Sequence, residues 1–473
     1  MNRTRTLLRG GHVLSMDPAI GVLRPGDVLI DGDRIAAVAP RLDVDADVVD
    51  VTGQIVMPGM IDTHRHTWQT QLRGIAGDWT LTDYLFGIRF GISPHYTAED
   101  VHLGNKLGAL DGLAGGVTTI LDFSHCINTP DHADAAVAGL RSAGGRAVFG
   151  YGFFDSSPGA PAHFTDHARR LADFERIAAT HFPSDDALVT LGASLNEYGL
   201  VPLSQTRAEI EAARDHGALV VAHLGATWSV PSGFGAVAAA ELFGPDQVQV
   251  HCNTLSDSEF GVLADLGVKV SISPETELNM GMGRPVFAQC ERHGIKPTLS
   301  CDVISLNSGD LITQMRLGLG FKRWADTEAV NLGGSDPAVL STTALQAIEW
   351  CTINAAEAIG RSATLGSITP GKQADLVVIG GDSVRQRPVL DPAATVVFHT
   401  TPEDIVAVYV AGRCVKSGGT MLGHDMAKLA GEAQESASGI LARVADSIPQ
   451  LPGTPQVGFA ALTGLLEANL ALS

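Results

Sequence analysis

The sequence sets histidines and acids where a metal or a proton could be handled. Asp62-Thr63-His64-Arg65-His66 ends the apolar run that begins at Met57. Residues i and i+2 of a strand share a face, so His64 and His66 would point the same way, a spacing that suits two imidazoles on one metal. Alone the motif is weak, because 16 histidines among 473 residues give roughly half an HxH by chance. Three more positions repeat the pattern of a strongly polar side chain straight after an apolar run. They are His223 after Leu219-Val220-Val221-Ala222, His251 after Val248-Gln249-Val250, and Asp302 after Thr298-Leu299-Ser300-Cys301. Any one is as well explained as a hydrogen-bonded core histidine or a helix N-cap aspartate. Taken together, four run-ends supplying four histidines and one aspartate point to a single site.

Elements that could bring these ends together recur along the chain. Apolar runs lie near Met60–Asp62, Val117–Phe123, Ala147–Tyr151, Ala187–Ala193, Ala218–Ala222, Gln247–Val250, Val268–Ile272 and Thr298–Cys301. Helical patterns such as Ala98–Ala114, Ala168–Ala179 and Gln205–His216 fall between them. Eight strand–helix beats fit a (β/α)8 barrel, whose chemistry sits at the strands' carboxyl ends; a doubly wound sheet shows the same alternation. Both chain ends read as β. Val28–Ile30 and Arg34–Val38 flank Asp31-Gly32 as a hairpin with a type I′ turn, and Asp375–Ile379 and Ile405–Gly412 return the same texture late. The division expected is a small β-sandwich from 1–57 and 369–422, a barrel over 58–368, and a helical tail over 423–473, with a helix at Asp425–Ile448.

Several segments resemble one family. Met57-Pro58-Gly59-Met60-Ile61-Asp62-Thr63-His64-Arg65-His66 resembles the strand-one signature of the amidohydrolase superfamily. Asp302 with Asn307, Asp310, Met315 and Arg316 resembles the strand-eight stretch of its triazine chlorohydrolase/aminohydrolase branch, which includes guanine and 8-oxoguanine deaminases. Ser273-Pro274-Glu275-Thr276-Glu277-Leu278 is similar to that branch's strand-seven loop. Leu365-Gly366-Ser367-Ile368 through Pro370-Gly371-Lys372-Gln373-Ala374-Asp375-Leu376 is similar to its return into the sandwich. The resemblance covers about residues 5 to 420. It implies a metal held by His64, His66, His223 and Asp302, with His251 beside it.

Two departures bear on the chemistry. The branch usually has a proton-shuttling glutamate three residues after its strand-five histidine, where this chain has Ala226. Arg65 and Trp68 replace smaller residues around the first pair. Glu197 and Glu277 are the carboxylates placed to stand in for the missing acid. No lysine occurs between Lys106 and Lys269, so the carboxylated strand-four lysine that bridges two metals in binuclear members cannot form. One divalent ion is expected, zinc before ferrous iron. Such an ion lowers the pKa of water from 15.7 toward ~7; Asp302 would then take a proton and His251 stabilise growing charge. The expected activity is hydrolytic deamination of a nitrogen heterocycle. Dechlorination or cyclic-amide hydrolysis on the same fold is the alternative, and a non-enzymatic amidohydrolase-like scaffold is a more distant one. Trp68, Gln71, His125 and Asn307 are the candidate substrate contacts, and Trp68, Trp79, Tyr84 and Phe86 could stack on a flat ring.

Composition narrows the classes. Lys+Arg 32 against Asp+Glu 52 gives a net charge of −20, with no basic footprint for nucleic acid. The six cysteines are dispersed without a CxxC, so neither a disulfide scaffold nor a zinc ribbon is indicated. No apolar stretch reaches the ~18 residues of a membrane span. No G-x-x-x-x-G-K-[ST] or G-x-S-x-G is present, and Gly318-Leu319-Gly320 lacks the third glycine of a dinucleotide loop. A soluble, cytoplasmic protein acting on a small heterocyclic substrate is expected. Apolar residues near the C-terminus (Phe459, Leu462, Leu465, Leu466, Leu470, Leu472) predict a homo-oligomer.

Overall fold

A computed structural model describes residues 5–154, 160–184, 187–380 and 383–444. Five strands come first: β1 (Arg5–Leu14), β2 (Val22–Asp31), β3 (Arg34–Ala39), β4 (Asp47–Asp50) and β5 (Ile55–Pro58). Eight more make up a second sheet: β6 (Met60–Arg65), β7 (Val117–Ser124), β8 (Arg146–Gly152), β9 (Val189–Ser194), β10 (Leu219–Leu224), β11 (Gln247–His251), β12 (Lys269–Ile272) and β13 (Pro297–Leu299). The last four are β14 (Leu376–Ile379), β15 (Ile405–Val410), β16 (Arg413–Ser417) and β17 (Thr420–Met421).

β6 to β13 pair in chain order, every pair parallel. With helices between them this is the (β/α)8 barrel, and each of the eight apolar runs became one of its strands. Parallel strands covered by helices on one face and a packed interior on the other need no alternation, so they read as continuous apolar runs. The barrel closes at the β13–β6 seam. There Arg65 and Asp302 form a parallel bridge, the Asp302 N–H donates to the His64 carbonyl at 3.0 Å, and the His66 N–H to the Asp302 carbonyl at 3.1 Å. Three residues of the candidate site are therefore locked by the backbone bonds that shut the barrel.

Strands from both chain ends form one nine-stranded sheet, joined where β5 pairs with β14. Leu8, Val13, Val28, Ile30, Val56, Leu376, Val378 and Tyr409 pack there into a core of their own. The hairpin differs in detail. Asp31 faces Arg34, so its turn residues are Gly32-Asp33, and of the two only Gly32 (φ 63°) is left-handed. A type I′ turn needs positive φ at both central positions, so the turn is not of that type.

The helix Ala98–Ala114 starts on a capping box between Thr97 and Asp100, which satisfies two otherwise orphaned N–H groups. Helices His167–His181 and Leu203–Asp215 contain or nearly contain the other two expected stretches. The tail helix runs Met426–Val444. It docks beside the loop after β6: Ser436 donates to Asp100 at 2.6 Å, and Arg443 donates to the His95 carbonyl at 2.8 Å and pairs with Asp100. The expected remainder of that helix and the apolar C-terminus lie outside the described residues. Among the described residues, no helix is long and apolar enough to cross a membrane.

Candidate functional site

The carboxyl ends of β6, β10, β11 and β13 converge on one point. His64 Nε2 is 3.1 Å from Asp302 Oδ1, His66 Nε2 is 3.3 Å from the same oxygen, and His223 Nε2 is 3.3 Å from His64 Nε2. His251 Nε2 approaches Asp302 Oδ2 at 3.9 Å. His64, His66 and His223 form one group of mutually close ligand atoms, and His64, His251 and Asp302 another.

The outer partners fix the tautomers. His66 Nδ1 lies 3.0 Å from the Phe123 carbonyl, which can only accept, so Nδ1 carries the proton. His223 Nδ1 lies 3.2 Å from Glu197 Oε1, and His251 Nδ1 3.2 Å from Glu277 Oε1. His66 and His223 thereby offer their Nε2 lone pairs inward. The His66 Nε2 lone pair facing the Asp302 carboxylate at 3.3 Å repels it unless a cation lies between them. The residues therefore fit a divalent ion, which His64, His66, His223 and Asp302 could hold. Those four, with His251 adjacent, are the groups whose spacing in the sequence pointed to a single site.

Burial and charge set the ionisation. Burial pushes His64 well below its usual value and lowers His223. It would raise Asp302, but the His64, His66 and His251 rings beside it outweigh that and hold the carboxyl well below the usual range. Burial would likewise lower His251, yet Glu277 and Asp302 more than compensate and the imidazole shifts up. His251 (φ 74°), Cys252 (58°) and Asp302 (55°) all take left-handed backbone. That conformation is costly for non-glycine residues and gathers at functional sites; here it turns two strand ends toward the centre.

Above the donors opens a pocket of about 1030 Å³, counting its mouth. Leu81, Leu85, Phe90, Phe154, Met280 and Val303 make it largely apolar, and Tyr84, Arg89, His125 and Glu197 are among its polar residues.

A model of the amidohydrolase family matches residues 55–415. The chain belongs to the amidohydrolase family. This amidohydrolase is 30% identical over 436 residues to a 5-methylthioadenosine/S-adenosylhomocysteine deaminase of Symbiobacterium thermophilum, covering 87% of this chain and 93% of that one. It is 25% identical to a 5'-deoxyadenosine deaminase of Methanosarcina mazei, covering 93% and 99%. An adenosine deaminase from Xanthomonas campestris with bound zinc shares its fold at a TM-score of 0.81 and 21% identity, over 93% and 99% of the two chains. Atrazine chlorohydrolase from Arthrobacter aurescens, complexed with zinc, does so at 0.79 and 20%, over 91% and 100%.

Of the four expected substrate contacts in this amidohydrolase, only His125 reaches the pocket wall. It stacks on His66 with centroids 4.2 Å apart and accepts from Trp68 Nε1 at 2.9 Å. The other three do not line the pocket. Trp68 is 0% exposed beneath His125. Gln71 donates to the Asp100 carbonyl at 2.7 Å, toward the tail helix. Asn307 donates to Thr276 Oγ1 at 2.6 Å and to the Cys301 carbonyl at 2.9 Å. Each is turned into bonds of its own, away from the pocket. Of the four aromatics expected to stack on a ring, only Tyr84 lines it.

Arg65 is also turned away: it is fully buried and bonds Asp111 at 2.7 Å and the Gly309 carbonyl at 3.1 Å. Glu197 stands on the wall with its side chain 34% exposed, whereas Glu277 is 0% exposed and does not line the pocket. Ala226 does line it. Sequence reasoning missed Arg89 and Phe154, where the guanidinium lies 4.7 Å over the ring. A lone arginine inside the apolar stretch Leu85–Ile92 was the available signal. That stretch is a π-helix, a rare turn often found at functional sites.

Proposed function

We propose that this amidohydrolase is a mononuclear, metal-dependent deaminase of a 6-aminopurine nucleoside. The observation that carries the reading is the convergence of three imidazole Nε2 atoms and Asp302 at the floor of a largely apolar pocket. Relatives that span nearly the whole chain are named as deaminases of adenine nucleosides. Zinc is the ion we favour, because two proteins of the same fold hold it. A single ion agrees with Asn196 and Glu197, and no lysine, after β9. We also propose that the chain self-associates through its apolar C-terminal residues, and that it works in the cytoplasm.

An ion held by His64, His66, His223 and Asp302 would supply water acidified toward a pKa of ~7. Asp302, held as a carboxylate by its histidine neighbours, accepts the proton released as the water oxygen adds to the ring carbon. His251, its far nitrogen anchored by Glu277, directs Nε2 at the centre and offsets the negative charge growing on the adduct. The C–N bond then breaks and ammonia departs with a proton delivered from the protein. Ala226 cannot deliver it, and Glu277 is sealed off from the pocket. Glu197, on the wall, would relay to the leaving nitrogen the proton that Asp302 took from the water, while also orienting His223.

Ala226 favours one second reading, hydrolytic dechlorination, in which the leaving group needs no proton. The test is product analysis on the zinc-loaded protein with adenosine, 5'-deoxyadenosine, 5-methylthioadenosine and a chlorotriazine. Ammonia from a nucleoside is expected. Chloride from the triazine with no ammonia from any nucleoside would replace the deaminase reading.

A further inference from the structure

The opposite end of the barrel holds a second cavity, of about 660 Å³ counting its mouth. Thr119, Arg146 and Thr190 reach it from the first residues of β7, β8 and β9, and Arg361 and Thr364 from the loop after the helix Ile353–Ala358. Arg34 and Gln373 complete it from the other sheet. All parallel strands start at this end, so the cavity lies a full strand length from the metal donors.

Its charge is unlike that of the rest of the molecule. Three arginines share one cavity in a chain of net charge −20. Only Arg146 has a carboxylate partner among the described residues, binding Asp375 at 2.7 and 3.2 Å while its Nη2 also donates to Gln373 Oε1 at 2.8 Å. Arg34 donates to the Gly371 carbonyl at 2.7 Å, which leaves its charge unmatched. The Arg361 guanidinium makes no hydrogen bond or ion pair among the described residues.

A second, independent observation points to a ligand. Thr119 is 3% exposed, and its Oγ1 has no hydrogen-bond partner among the described residues. A buried hydroxyl left unpaired is destabilising, so native structures seldom tolerate one without a bound partner. A hydroxyl donor beside guanidinium groups matches a tetrahedral oxyanion, which arginine engages with paired N–H donors.

We propose that this cavity binds a phosphate dianion, free or carried as a phosphomonoester, with Arg361, Arg34 and Arg146 supplying charge and Thr119 a neutral donor. The site is separate from the catalytic pocket, and its existence does not depend on the deaminase reading.

Titration calorimetry on the full-length, zinc-loaded protein tests it, with inorganic phosphate as the probe and glycerol phosphate in a parallel arm. Saturable binding at one site per chain is expected for at least one probe. Arg361→Ser should weaken it about tenfold or more, the loss of one charge-assisted contact at 1.4 kcal/mol per decade. Thr119→Val should also weaken it without lowering the melting temperature of the phosphate-free protein, because the hydroxyl it removes bonds nothing there. Binding of inorganic phosphate alone assigns a free ion; equal or tighter binding of the ester assigns a phosphomonoester. No saturable binding of either probe would overturn the proposal. So would binding that both variants leave intact and a chelator abolishes, which would place the anion at the metal.

Discussion

Two rims of the barrel mouth carry the same device with opposite outcomes. After β9 and β10, Glu197 holds His223 Nδ1 at 3.2 Å; after β11 and β12, Glu277 holds His251 Nδ1 at 3.2 Å. The two imidazoles lie nearly parallel, 5.7 Å apart. Yet His223 is shifted down by burial, while His251 is shifted up. The carboxylates explain it. His251 faces both Glu277 and, at 3.9 Å, Asp302; His223 has Glu197 alone and feels the neighbouring rings of His66 and His251. A histidine between two anions tends to hold a proton, and a buried one with a single anion gives it up. The first suits a charge stabiliser, the second a metal donor. The glutamates differ as well, since Glu197 faces the pocket and Glu277 accepts a second bond, from the Ser273 N–H at 2.9 Å, inside the protein.

Replacing a donor should break the comparison most severely. His223→Ala is expected to lose metal and activity together, by ~10³-fold or more, since the loss of a mere outer partner already costs 10–100-fold. Metal analysis beside the turnover assay checks this. His251→Ala should instead keep the metal and lose about 10²–10³-fold in kcat, as for removal of one preorganised charge stabiliser. A metal-free His251→Ala protein would make that ring a ligand and erase the distinction between the rims.

The glutamates come next. Glu197→Gln is expected to keep metal and substrate binding and to lose at least ~100-fold in turnover, the low end for a positioned general acid. Recovery of its rate with added zinc would limit Glu197 to orienting His223. Glu277→Gln should be milder, about tenfold in kcat with KM unchanged, because glutamine still accepts from His251 Nδ1 and only the charge is lost. A loss as large as that of Glu197→Gln would move the proton route to the β11–β12 rim. The smallest effect is expected from Trp68→Phe, which touches neither pair. Losing its bond to His125 should cost about 1 kcal/mol of stability and change KM only a few-fold, read by thermal melts and steady-state kinetics.

The eight apolar runs, the run-end histidines and Asp302 were legible because they depend on local rules: a strand reads as a short apolar stretch, and a barrel gathers the residues at the carboxyl end of each strand into one mouth. Side-chain direction was not. Thr67–Leu72 forms a 3₁₀ turn that sends Trp68 under His125 and Gln71 toward the tail helix, and no spacing rule foretells which face such a turn buries. Sequence order likewise hid which glutamate meets which histidine, since each pair is 26 residues apart.

The sequence by itself determined the kind of site, because its donors sit at positions that every parallel strand presents at the same end. Tertiary structure alone decided how each group behaves. Burial, the number of anions facing a ring, and the exposure of a carboxylate depend on neighbours distant in the chain. The arginine cavity at the other end obeys the same logic, its charge drawn from residues 34, 146 and 361, brought together only when both chain ends close over the barrel floor.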